Sequence, residues 1–193
     1  MTQQRLEERL AFLREAERLK DTLRSGFTAQ GARESTAEHS WRVCLFALTL
    51  SDLIEDINLE RLLSLLIVHD LGEVYAGDVP ATQQALDDGR DARERADFEH
   101  LTSSLPEGVR DQFRALFDEY AAGETVEAKL AKGFDKLETI LQHTQGQNPS
   151  DFDYDFNLTY GARWTEKLPL LRALRAIVDE ATVRRAKGDE AWL

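Results

Sequence analysis

Apolar residues recur at three- and four-residue intervals along almost the whole chain, and alternating β-branched runs are missing. That pattern predicts helices nearly throughout. Leu6, Leu10 and Leu13 mark a first helix over residues 3–21. Arg24 to Arg33 reads as a loop with glycines at 26 and 31. Ser35-Thr36-Ala37-Glu38 is a capping-box pattern and opens a helix that runs to about Leu53. Residues 62–71 are apolar on nearly every side, the mark of a buried helix. Asn58 can cap its start, and Gly72 suits the left-handed position that ends a helix.

Farther on, Gly77-Asp78 reads as a turn and Pro80 can open a helix. Residues 81–91 form a polar connection. A short helix over 93–103 holds His100 as a surface or packing histidine, and Pro106 opens a helix with Val109, Phe113, Leu116 and Phe117. From Thr125 to Gln145, Val126, Leu130, Phe134, Leu137 and Leu141 form one apolar stripe. Lys129, Lys132 and Lys136 form a second stripe, read as the wet one. Asp135 belongs to neither and shares a face with Ala128 and Ala131, where small side chains admit another helix. Gly146 to Ser150 breaks the helix. Residues 151–156 alternate acid and aromatic as an irregular surface segment, and a last helix spans 165–187.

The fold class is therefore all-α, a bundle of roughly six to eight helices. The 193 residues suit one domain over 1–193, large enough for a real core. No run of 18 apolar residues spans a membrane, and the first residues lack the regions of a signal peptide. Cys44 is the single cysteine and reads as a buried, inert thiol, which fits a reducing cytoplasm. A net charge of −12 argues against polymeric nucleic acid as a partner. A small anion remains compatible with that charge, given a local positive pocket.

The chemistry starts at His69-Asp70. A carboxylate at a helix C-terminus faces the negative end of the dipole, at a cost of about 0.3–1 kcal/mol. Buried without a partner it costs several kcal/mol more. An arginine or lysine would answer that demand, with a hydrogen-bonded core histidine beside it. A divalent cation would answer it as well, since imidazole and carboxylate are standard ligands. His39 alone reads as structural more readily than as a ligand, Asp135 equally as half of a salt bridge, and Asp78 as a turn or cap residue.

Taken in order, His39, His69-Asp70 and Asp135 resemble the H…HD…D pattern of HD-domain metal-dependent phosphohydrolases. Glu34-Ser35-Thr36-Ala37-Glu38-His39-Ser40, His69-Asp70-Leu71-Gly72-Glu73, Ala76-Gly77-Asp78 and Asp135-Lys136-Leu137-Glu138 are similar to the 5′-deoxynucleotidase branch. Arg24-Ser25-Gly26-Phe27 is similar to that branch's Arg-x-Gly-Trp segment, with Phe27 where tryptophan is usual. The resemblance implies that His39, His69, Asp70 and Asp135 hold one divalent ion, with Mn²⁺, Co²⁺ or Fe²⁺ favoured over Zn²⁺ or Mg²⁺. It implies catalysis by Glu73 and Asp78, and nucleotide contacts from Arg24 and Phe27. Arg33, the second arginine of that loop, joins them as an expected substrate-binding residue. A nucleoside 5′-monophosphate is the expected substrate and a homodimer the expected assembly. Two alternatives are an HD hydrolase of guanosine tetraphosphate or a cyclic nucleotide, and a non-catalytic metal-binding regulatory domain.

Overall fold

The computed structural model describes residues 2–83 and 89–189. Local signals in the sequence set most helix starts. Helix α1 spans Gln3–Ala16 and a 3₁₀ turn follows it over Glu17–Lys20. Its leucine stripe faces outward, with Leu10 and Leu13 55% and 60% exposed. What attaches α1 is Phe12, buried and edge-on against Phe113 at 5.4 Å between ring centroids.

Helix α2, Thr36–Thr49, begins at the expected capping box. The Ser35 hydroxyl accepts from the Glu38 amide at 3.2 Å, and the Glu38 carboxylate accepts from the Ser35 amide at 2.7 Å. Both orphan donors of the first turn are thereby satisfied. Helix α3, Leu59–Val68, starts at Asn58, whose side chain accepts from the Arg61 amide at 2.9 Å. Cys44 lies half-buried on α2, and burial pushes its thiol up to about 11.

Two details of α3 differ from expectation. It is not buried all round, because Ile67 is 58% exposed. Nor does Gly72 end it in a left-handed conformation. His69 keeps a right-handed backbone, and the chain turns through a 3₁₀ segment over Leu71–Glu73. Gly72 is needed there for space: a Cβ would lie 2.7 Å from the carbonyl oxygen of Glu94. Helix α4, Arg90–Thr102, packs against that turn. His100 is exposed on α4 and meets the Tyr75 ring at a tilt, 5.1 Å between ring centroids.

The expected loop at 24–33 is instead a hairpin. Strand β1, Leu23–Phe27, pairs antiparallel with β2, Arg33–Ser35, with Leu23 opposite Ser35 and Phe27 opposite Arg33. Its inward residues are Arg24 and Gly26, whereas Leu23 faces out. Hydrophobic alternation therefore gives no strand signal. Pro80 leads into a 3₁₀ turn at Ala81–Gln83. The polar connection expected over 81–91 continues into residues 84–88, outside the described residues.

Helix α5, Glu107–Ala122, starts after Pro106 as the pattern predicts. Helix α6, Val126–Gln145, is the centre of the bundle: α2, α3, α5, β1 and the last helix, α9 over Pro169–Ala186, all pack against it. Its faces differ from the wheel reading. Val126 is 48% exposed, and Lys132 and Lys136 turn toward an internal cavity. Close approach to α9 depends on Gly133, where a Cβ would meet Leu171 at 2.3 Å. Residues expected as an irregular surface include a helical turn, α7, over Tyr154–Asn157. Thr165, expected to start the last helix, ends another turn, α8, Ala162–Thr165.

Candidate metal and substrate site

Three helices bring their polar residues to one focus. His39 comes from the second turn of α2, His69 and Asp70 leave the end of α3, and Asp135 projects from the middle of α6. His69 Nε2 lies 3.0 Å from Asp70 Oδ2. His39 Nε2 lies 3.2 Å from Asp135 Oδ1 and 3.8 Å from Asp70 Oδ2. The two imidazole rings are 5.6 Å apart.

The opposite ring nitrogens are committed elsewhere. His39 Nδ1 donates to Glu138 Oε2 at 2.5 Å, and His69 Nδ1 donates to the Leu66 carbonyl at 2.7 Å. Both Nε2 atoms are buried without a hydrogen-bond partner. Together with the Asp70 carboxylate they form a group whose ligand atoms lie within 4.8 Å of one another and fit a divalent cation, with Asp135 joining from the His39 side. Anchoring the second ring nitrogen on a carboxylate or carbonyl fixes the tautomer such a ligand needs. Asp135 is anchored likewise: Tyr120 Oη donates to its Oδ2 at 2.8 Å, and Lys136 Nζ pairs with the same oxygen at 2.8 Å.

The field around the focus is strongly negative. Burial and Arg24 oppose a charge on His39, yet Glu138 and Asp135 outweigh them and lift it to about 10. Burial likewise opposes the Asp70 carboxylate, but His69 and Arg24 hold it down at about 2. Asp135 stays far below the usual carboxylate range against its burial, through Lys136 and His39. Arg24 is the positive partner that the end of α3 demands. Its guanidinium lies 3.5 Å from Asp70 and 3.6 Å from Glu34, and donates to Thr139 at 3.2 Å.

His69, Asp70, Asp135, Arg24 and Lys136 border a cavity of about 570 Å³, the size of an ordinary small-ligand site. Glu73, Asp78, Arg24 and Phe27 line it, while Phe152 and Phe156 stand among its aromatic residues. Glu73 accepts from the Thr36 hydroxyl at 3.2 Å. Burial, with Asp70 and Asp78 nearby, raises its carboxyl well above the ordinary range. Asp78 is raised too, by burial, with Arg24 opposing. Arg33 is not brought to the cavity. It lies exposed on β2 and donates through Nε to the Arg24 carbonyl at 3.0 Å. Its place is to tie the hairpin together.

The sequence profile of the HD domain matches residues 16–172. The chain belongs to the HD-domain family. Among similar curated proteins is the 5′-deoxynucleotidase HDDC2 of Danio rerio, 33% identical over 135 residues, covering 69% of this chain and 66% of that one. The 5′-deoxynucleotidase HDDC2 of Homo sapiens is 30% identical over 138 residues, covering 70% and 67%. The chain thus spans about two thirds of the length of these relatives. A solved structure described as a predicted metal-dependent phosphohydrolase from Magnetospirillum magnetotacticum MS-1 is similar along 95% of this chain and 98% of that one. Its TM-score is 0.75 and its identity 30%. The PH0347 protein from Pyrococcus horikoshii OT3 is similar at a TM-score of 0.69 and 27% identity, over 90% of this chain and 98% of that one.

Several residues of this HD-domain site escape a reading of the sequence. Glu138 is fully buried and orients His39. One signal was available: it sits three residues after Asp135, an acid on the same helical face. Tyr120 sits on α5, and nothing in that helix's apolar pattern marks its hydroxyl as the donor to Asp135. Glu34 is buried beside Arg24 and raised to about 7, by burial first and then by Glu138.

Proposed function

We propose that this HD-domain protein hydrolyses nucleoside 5′-monophosphates, with 2′-deoxy forms preferred, to nucleoside and inorganic phosphate. One observation carries the reading: the His39 and His69 imidazoles converge with the Asp70 carboxylate, and Asp135 meets His39, beside a cavity of about 570 Å³. The printed activity of the similar 5′-deoxynucleotidases supports the substrate class.

His39, His69, Asp70 and Asp135 would hold one divalent ion, and their mixed nitrogen and oxygen donors suit Mn²⁺, Co²⁺ or Fe²⁺. Such an ion makes bound water more acidic and draws charge from a phosphoryl oxygen. The chain supplies the proton handling. Burial raises the proton affinity of both Glu73 and Asp78, which lets a carboxyl in this site hold a proton as well as take one. Between them they take a proton from the attacking water and return one to the leaving 5′-oxygen as the phosphorus–oxygen bond breaks. Arg24 neutralises Asp70 and steadies the ligand cluster, and Phe27 gives the sugar or base an apolar wall. We read the assembly as a homodimer, which light scattering would check.

The test is phosphate release from a panel of deoxy- and ribonucleoside monophosphates by protein loaded with Mn²⁺ or Co²⁺. Turnover with deoxynucleotides is expected. Glu73→Gln should lower turnover about 10²–10⁴-fold with metal content unchanged, the usual worth of general acid–base catalysis. A regulatory domain without catalysis would show no turnover and no response to Glu73→Gln in metal binding or stability.

A further inference from the structure

We propose that Lys132 is the cation that receives the phosphate group of the substrate. The proposal rests on the nucleotidase reading of the cavity and adds a residue to it. The wall is rich in acid, with Asp70, Glu73, Asp78 and Asp135 all on it. A phosphate dianion entering such a space needs positive charge that is not already spent.

Most of the cations on the wall are spent. Arg24 is held by Asp70, Glu34 and Thr139. Lys136 is held by Asp135 at 2.8 Å. Arg90 pairs with Glu94 at 3.4 Å and Asp91 at 3.7 Å. Lys132 makes neither an ion pair nor a hydrogen bond among the described residues; its ammonium lies 4.1 Å from the ring centre of Tyr120 and 4.8 Å from that of Trp164. Aromatic faces attract an ammonium group but leave its hydrogen-bond donors open. Burial pulls this lysine down to about 8, with Lys136 and Arg163 adding to the effect and Asp135 and Asp91 opposing it.

Its position suits the role. Tyr120 bridges the two places: its ring lies under the Lys132 ammonium and its hydroxyl donates to Asp135. The same ring is 5.1 Å from that of His69. Lys132 therefore lines the same cavity as His69, Asp70 and Asp135, separated from His69 by the Tyr120 ring. A purely structural role, holding Tyr120 and Trp164 by cation–π contact, would show as a lower melting temperature without a specific loss of phosphate binding. Trp164 already packs where a Cβ on Gly123 would lie 2.5 Å from it.

The experiment is calorimetric titration of inorganic phosphate into the metal-loaded full chain, for wild type, Lys132→Met and Lys132→Arg, together with steady-state kinetics on a deoxynucleoside monophosphate. Lys132→Met keeps the stem and removes the charge. It should weaken phosphate binding about ten- to a hundredfold, the worth of a hydrogen bond to a charged group. KM should rise in step, with kcat less affected and with metal content and melting temperature unchanged. Lys132→Arg should restore most of the binding; Lys132→Gln decides the matter if the methionine variant melts early. Unchanged phosphate binding in the uncharged variants overturns the proposal, as does no phosphate binding by wild type. A loss that merely follows metal content or melting temperature overturns it too. Lys132-dependent phosphate binding without turnover of any monophosphate would leave this anion site standing and remove the nucleotidase reading instead.

Discussion

Helix α3 is almost purely apolar and delivers its two candidate ligands, His69 and Asp70, just beyond its last turn. Helix α6 carries charges along its length and delivers Asp135 from its middle. The apolar helix is the more superficial of the two, with Ile67 58% exposed. The charged helix is the central one, with Asp135 and Glu138 only 3% and 0% exposed. Apolar content thus does not rank helices by depth here. Buried charge is tolerated where the charges answer one another, since satisfied polar networks specify a core and unsatisfied ones destabilise it. On α6 that answer comes from His39, Tyr120 and Lys136. On α3 the ligands stand at a helix end, where Arg24 offsets the unfavourable dipole.

Substitutions on the two helices sharpen this contrast. The largest effect among them belongs to Glu138→Gln on α6. It weakens the hold on His39 and should cost about 10–100-fold in metal affinity or activity, read by metal titration and by kinetics. Next comes Gly133→Ala, also on α6. The added methyl would meet Leu171 at 2.3 Å and should cost about 1–3 kcal/mol in denaturant unfolding. The smallest effect belongs to α3. Ile67→Ala removes an exposed side chain and should stay within about 0.5 kcal/mol of wild type. An Ile67 variant as damaged as the Gly133 variant would mean that α3 is covered in solution.

How much of this was legible in the sequence follows from how local each signal is. The capping box at Ser35 and the Asn58 cap act within one turn, and both start their helices as expected. The hairpin was hidden because its inward residues are Arg24 and Gly26. Gly72 invited a left-handed reading, but its small size serves contact with α4 across the chain. Lys132 and Lys136 sit on a regular stripe, and a helical wheel assigns such a stripe to solvent. A polar cavity is solvent-like to a periodicity argument, so a wet face and a site face look alike. Single-helix patterns could bring Asp135 inward and put His69 and Asp70 at a helix end. Joining them with His39 required the family resemblance, since convergence of separate helices leaves no mark in any one of them.

The most direct test of the account is calorimetric titration of Mn²⁺ into metal-free protein, wild type against His39→Ala and Asp135→Ala. Without the ion, His39 holds its proton to about pH 10, so binding must displace that proton. Wild type should bind one ion per chain, release protons, and bind more tightly as pH rises from 6 toward 9. Both variants should lose the site. One full-affinity ion retained by either variant would contradict the account.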